Sequence, residues 1–171
     1  MDNENLTTAS KDVLQLVLSF FSRVESKFSV ILAIDTGMIG FLAANAPPFA
    51  AFSRWMLLLS AATVLLLAVS VAMLYRGSFP NLKGGESSLI YFREIAKRRE
   101  HQFIEEFSAQ SEKHYGHDLL AQVWRNSQIL TVKYDSLKLA FTFLALAIVP
   151  WIVTLALFAA YNGGTHPTLK P

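Results

Sequence analysis

The chain has no cysteine. That excludes disulfides, thiol chemistry and cysteine-ligated metal, and it leaves the redox compartment unreadable. Charge is also scarce. Asp, Glu, Lys and Arg make up 16% of the 171 residues, against roughly 25% in an ordinary globular domain. The formal net charge of +2 is too small to point to nucleic acid or an acidic partner. There is no internal repeat and no low-complexity tract. No glycine-rich phosphate loop, nucleophile motif or catalytic triad is visible. The expectation is therefore a protein that is not an enzyme, with no cofactor and no metal. What the chain does have is a hydrophobic fraction of 53%, the profile of a small integral membrane protein.

The organising stretch is residues 55–75, WMLLLSAATVLLLAVSVAMLY, which carries no charge. Its polar groups are the hydroxyls of Ser60, Thr63 and Ser70, each able to bond a carbonyl one turn back. At about 1.5 Å per residue the run spans roughly 31 Å, close to the ~30 Å apolar core of a bilayer. Trp55 and Tyr75 close its ends, at headgroup level. Residues 28–46 form a second candidate span, interrupted by one charge, Asp35. Residues 139–161 form a third, uncharged, with Pro150 in its middle, where proline is expected to kink the helix. Pro47, Pro48 and Ser53 mark a brief turn, so the first two spans form a hairpin.

The rest is more polar. Ser10 is placed to cap an amphipathic helix in which Val13, Leu14, Val17, Phe20, Phe21 and Val24 share one face. Such a helix lies either in the membrane interface or against the protein. An acidic start argues against a secretory signal. Most of the charge falls in residues 76–138. After a loop at 76–85, one helix is expected from Ser87 or Ser88 to about Lys113, with Leu89, Phe92, Ala96, Phe103 and Phe107 on a face. Tyr115-Gly116 then breaks it. A second helix begins near Asp118, striped by Leu119, Val123, Leu130, Tyr134 and Leu137. It runs unbroken into the third span and ends at Asn162-Gly163-Gly164.

Lysine and arginine set the orientation. Arg23, Lys27, Arg76, Lys83, Lys133 and Lys138 flank the spans on one side; only Arg54 and Lys170 flank the other. The amino terminus and the insert are expected in the cytoplasm and the carboxyl terminus outside. The fold class is an all-α integral membrane protein, three transmembrane helices with a helical cytoplasmic insert between the second and third. Its boundaries are 1–27 (interfacial helix), 28–75 (hairpin), 76–138 (insert), 139–161 (third span) and 162–171 (short external tail).

Three features bear on chemistry. Asp35 lies about 10 Å into the first span. It reads either as a pore or cation group or as a protonated acid bonded to a hydroxyl on a neighbouring helix. Ala33, Gly37, Gly40 and Ala44 form a small-residue face beside it, of the kind that lets helices approach closely. Asp35-Thr36-Gly37 also spells the aspartic-protease triplet, but that enzyme needs a β-rich fold. His114-x-x-His117 has ligand spacing, yet no further ligand accompanies it. Arg93, Lys97, Arg98, Arg99 and His101, with Tyr91 nearby, form the best anion-binding candidate. Arg93 and Lys97 stand one turn apart, Tyr91 or Trp124 is placed to stack on a base, and Arg125 to add charge. The residues alone favour the plainer reading, a solvated face trimmed by ion pairs such as Glu94–Arg98.

Several phrases carry a family resemblance: Glu25-Ser26-Lys27 entering a hairpin, Ile31–Ile34 (Ile-Leu-Ala-Ile), Phe79-Pro80, Ser88 through Ala96, Gln122 through Ser127, then Ile129, Lys133, Tyr134 and Leu137. Over roughly residues 20–161 the chain resembles the transmembrane effectors of Pycsar anti-phage systems. Asp35 departs from the neutral polar residue expected there. The resemblance implies an effector that responds to a cyclic pyrimidine mononucleotide (cUMP or cCMP) from a partner cyclase, impairs the bacterial inner membrane and causes abortive infection. It makes residues 76–138 the sensor, and the basic cluster with its aromatic neighbours then gives the expected ligand contacts: Tyr91, Arg93, Lys97, Arg98, Trp124 and Arg125. The expected partners are the lipid bilayer, the nucleotide messenger and further copies of the chain. Two alternatives stay open: an effector of another nucleotide-signalled defence system, and a small non-toxic transport or scaffold subunit.

Overall fold

In hydrocarbon, a long uncharged chain satisfies its backbone by bonding within a helix. The computed structural model describes residues 3–79 and 85–165, and among them the regular elements are all helical. They are α1 (Asn3–Asn45), a 3-10 turn (Phe49–Ala51), α2 (Arg54–Ser78), α3 (Phe92–Ile95), α4 (Glu100–Ser108) and α5 (Glu112–Thr165). Helices α1, α2 and α5 are each long and apolar enough to cross a membrane. Of the loop expected at 76–85, residues 76–78 belong instead to α2, and residues 80–84, with Pro80 and Lys83, lie outside the described residues, as does the tail from residue 166, with Lys170. The chain divides into two units, Met1–Val24 with Pro80–Lys133, and Glu25–Phe79 with Tyr134–Pro171.

The second unit holds the apolar stretches of all three long helices. Its buried positions advance by alternating steps of three and four. On α1 they are Phe28, Ile31, Asp35, Met38 and Leu42. On α2 they include Thr63, Leu67, Ser70, Leu74 and Gly77. On α5 they include Leu137, Ala140, Leu144 and Ala147, then Thr154 and Phe158. This 3.5-residue period keeps one seam of each helix facing its partners. Thr63, Ser70 and Gly77 recur every seven residues, so α2 offers small side chains along its seam. A Cβ at Gly77 would lie 2.5 Å from the Phe28 ring and 2.9 Å from Ser136 Cβ. Leu57, Leu58, Val64 and Leu65 on α2 and Val149, Ile152 and Val153 on α5 stay exposed, an apolar outer surface suited to lipid.

At one end of this unit Ser53 caps α2, its hydroxyl accepting from the Met56 N–H at 3.2 Å. Leu42, Met56 and Phe158 make a buried cluster there, with the Phe52 ring edge-on to Phe158. Trp151 Nε1 donates to the Met38 carbonyl at 3.0 Å, and Asn162 donates to the Asn45 carbonyl at 3.2 Å.

Several expectations are corrected. Residues 11–27 and 28–45 belong to one helix, α1, because nothing between them breaks it, and the helix ends one residue before the expected Ala46. Ser10 is inside α1, not at its cap, and its hydroxyl bonds the Leu6 carbonyl at 2.6 Å. The face of Ala33, Gly37, Gly40 and Ala44 points outward, and nothing lies within 4 Å of a Cβ placed on either glycine. The buried stripe is the neighbouring one that contains Asp35. Gly116 is helical: α5 starts at Glu112, where the Ser111 hydroxyl accepts from the His114 N–H. Gly116 is buried, and a Cβ there would meet Thr7 and Leu6 of α1 at 3.4–3.5 Å. That close packing offsets the ~1 kcal/mol helix penalty of glycine. Pro150, Asn162, Gly163 and Gly164 all lie within α5.

Candidate functional site

The first unit contains a groove of about 560 Å³, built around a short pinned segment. The Ser88 hydroxyl lies 2.8 Å from Asp118 Oδ1 and donates to that carboxylate. It accepts from the N–H groups of Ile90 at 3.3 Å and Tyr91 at 3.1 Å and from Gln122 Nε2 at 3.2 Å. The Leu89 N–H donates to Asp118 Oδ2 at 2.9 Å. Residues 88–91 are thereby held on α5, and Tyr91 is placed on the groove wall. Gly85 adopts φ +82°, the left-handed region where glycine carries no steric cost. A Cβ there would lie 2.6 Å from Arg125 Nη1 and 2.7 Å from Tyr91 Cδ1, so the backbone passes closely over both.

The groove walls are mixed. Leu14 and Leu18 of α1, with Ile90, Leu119 and Ile129, supply apolar surface; Tyr91, Phe92, Tyr115 and Trp124 supply rings; Gln122, Arg125, Asn126 and Gln128 supply polar groups. Arg125 Nη1 is buried and has no hydrogen-bond partner among the described residues. A donor in that position is costly unless an acceptor meets it.

Within the basic cluster of the insert, Arg98 and Lys97 are engaged by neighbouring groups. Arg98 Nε donates to Glu106 at 2.7 Å. Its Nη1 donates to the carbonyls of Glu94 at 2.8 Å and Ser88 at 3.3 Å, and its Nη2 to that of Ser87 at 3.1 Å. Lys97 pairs with Glu94. The expected helix from residue 87 or 88 to 113 is therefore divided. Arg98 gathers carbonyls from both sides of α3 and ties them to α4, while Arg99 takes an extended backbone before α4. The Lys97 hydrogen bond holds Glu94 below the ordinary carboxyl value. Hydrogen bonds from Gln102 and then Arg98 do the same for Glu106.

In the second unit Asp35 is fully buried. Its Oδ2 lies 2.7 Å from Ser70 Oγ, which lies 3.0 Å from the Ala140 carbonyl. Oδ1 has no partner. A hydroxyl has one hydrogen to give. Both contacts are satisfied if Asp35 is the neutral acid, donating to Ser70 while Ser70 donates to Ala140. One relay then joins α1, α2 and α5.

A family model for the Pycsar effector protein domain, PycTM, matches residues 9–160. The chain belongs to the Pycsar effector family. No curated protein and no solved structure matches it. With its three apolar helices, this Pycsar effector is a membrane protein of antiviral defence, and the matched stretch takes in both the groove and Asp35.

Of the six residues singled out in the sequence of this Pycsar effector, Tyr91, Trp124 and Arg125 meet in the groove. Arg93 is exposed on α3, Lys97 is paired and Arg98 is enclosed in carbonyls; none of these three lines it. His114 and His117 are exposed on α5, and among the described residues no three His, Cys, Asp or Glu side chains cluster for a metal. Gly85, Ser88, Asp118, Gln122 and Asn126 escaped sequence reasoning as site residues. The signal was thin: Ser88 and Asp118 each look like a helix start, and their pairing spans thirty positions.

Proposed function

We propose that this Pycsar effector takes a cyclic pyrimidine mononucleotide, cUMP or cCMP, from a partner cyclase into the groove at Tyr91, Trp124 and Arg125. It then impairs the inner membrane, so that the infected cell dies before phage matures. The observation carrying this reading is the buried Nη1 of Arg125, without a partner among the described residues, in a groove that the Tyr91 and Trp124 rings also line. A guanidinium holds the two free oxygens of a cyclic phosphate at once, and a ring covers the base. Gln122 and Asn126 have their amide donors engaged, so their carbonyl oxygens remain to accept from a base N–H. The volume falls within the ~300–1,000 Å³ usual for small-molecule sites.

In this reading the chain is not an enzyme and uses no cofactor: the nucleotide is a signal that favours one state of the effector, and it acts only through its differential affinity for the two states. Helices α1 and α5 each run without a break through residues of both units, which supports coupling between groove and spans. The amino terminus and residues 76–138 face the cytoplasm, where the messenger is made; the carboxyl terminus lies outside, and copies of the chain associate in the active state. The test is co-expression with such a cyclase while membrane potential is followed. Depolarisation that needs both proteins and an intact Arg125 supports the reading. Depolarisation independent of the cyclase refutes it.

A further inference from the structure

We propose that a second groove, at the start of the first and third spans, is a binding site for an anionic glycerophospholipid. This groove of about 560 Å³ lies within the second unit, lined by Lys27, Val30 and Ile31 of α1 and by Tyr134, Lys138 and Phe141 of α5, among others. The spacing on both helices is three or four, so each helix presents these side chains on one face. Polarity follows the same direction along both. On α1 Lys27 precedes Val30 and Ile31, and on α5 Tyr134 and Lys138 precede Phe141, which lies deeper in the span. A phospholipid has that same order, a charged headgroup and then an acyl chain.

The charge selects the headgroup. Lys27 and Lys138 are exposed, neither ammonium enters an ion pair or hydrogen bond among the described residues, and no carboxylate lines the groove. Tyr134 adds a ring of the kind that settles at headgroup level. A free inorganic anion gains nothing from Val30, Ile31 and Phe141. A second copy of the chain, docked here about a two-fold axis, would bring four lysines together. One monoanionic lipid satisfies both ends. The site rests on the membrane reading of the three apolar helices and is independent of the nucleotide groove.

The test is electron spin resonance of the full chain in phosphatidylcholine nanodiscs, doped with spin-labelled phosphatidylglycerol or spin-labelled phosphatidylcholine. The immobilised fraction should favour phosphatidylglycerol by about fivefold or more. Lys27→Gln with Lys138→Gln should abolish the preference, Lys27→Arg with Lys138→Arg should keep it, and Arg76→Gln, outside the groove, should leave it unchanged. Three outcomes overturn the proposal. One is equal immobilisation of the two lipids by the parent. Another is a preference untouched by the double glutamine variant, or displaced by millimolar inorganic phosphate. The last is efficient dimer cross-linking through Val30→Cys, which assigns the groove to a second copy.

Discussion

Asparagine at position 35 should leave the membrane unit as stable as the parent, whereas leucine there, or alanine at Ser70, should loosen it. Asp35 is fully buried, 2.7 Å from Ser70 Oγ, and Ser70 Oγ is 3.0 Å from the Ala140 carbonyl. In the neutral-acid relay the proton on Asp35 is the donor to Ser70. An asparagine amide donates in the same place, so Asp35→Asn should shift stability by less than about 0.5 kcal/mol. Asp35→Leu removes one interhelical hydrogen bond, about 0.6–1.7 kcal/mol in a membrane bundle. Ser70→Ala leaves the fully buried carboxyl without its hydrogen-bond partner, about 1–3 kcal/mol. The double variant should cost less than the sum of the two, because both remove the same contact. Unfolding by sodium dodecyl sulfate in mixed micelles, followed by tryptophan fluorescence, measures all four variants against the parent. If Asp35→Asn is as damaging as Asp35→Leu, or the two single costs add in full, the relay is refuted.

Three further outcomes follow from packing and charge. Gly85→Ala puts a methyl group on Arg125 and Tyr91 at a backbone φ of +82°, so it should weaken nucleotide binding at least tenfold, by equilibrium dialysis, while circular dichroism keeps the parent's helix content. Gly77→Val drives a side chain into Phe28 and Ser136 and should cost about 1–3 kcal/mol in the same micelle titration. Glu106 has a folded-state value below its ordinary 4.5, so its contribution to holding α3 and α4 together is full above 4.5 and is lost as pH falls through the lower folded value. Amide protection over residues 92–108, corrected for the intrinsic exchange rate at each pH, should therefore fall below about pH 4.5, with that acid step reduced in Glu106→Gln.

The spans are legible in the sequence because an uncharged run of about twenty residues matches the thickness of a bilayer and little else. The run of α5 into its span is legible because no breaker interrupts it. Helix faces are less so. On α1 the small residues Ala33, Gly37, Gly40 and Ala44 and the buried residues Ile31, Asp35, Met38 and Leu42 share the same spacing, and composition alone favours the wrong face. The insert is hardest. One amphipathic stripe fits residues 88–113, but Arg98 finds Ser87, Ser88, Glu94 and Glu106 around it, and these contacts divide the helix. The groove is half legible. Its aromatic and basic residues stand out in the sequence, yet Arg93 and Lys97 do so by local spacing, whereas Arg125 is distinguished by surroundings that only the fold brings together.

Equilibrium binding of labelled cUMP and cCMP to the detergent-solubilised full chain tests the central claim most directly. Arg125→Ala should lose roughly ten- to a hundredfold in affinity, the ~1.5–3 kcal/mol of a hydrogen bond to a charged group. Trp124→Ala should lose about 1–3 kcal/mol of stacking, and Arg93→Ala and Lys97→Ala should bind like the parent. Parent-like binding by Arg125→Ala, with the loss falling on Arg93→Ala instead, would contradict the account and place the nucleotide on the exposed face of α3.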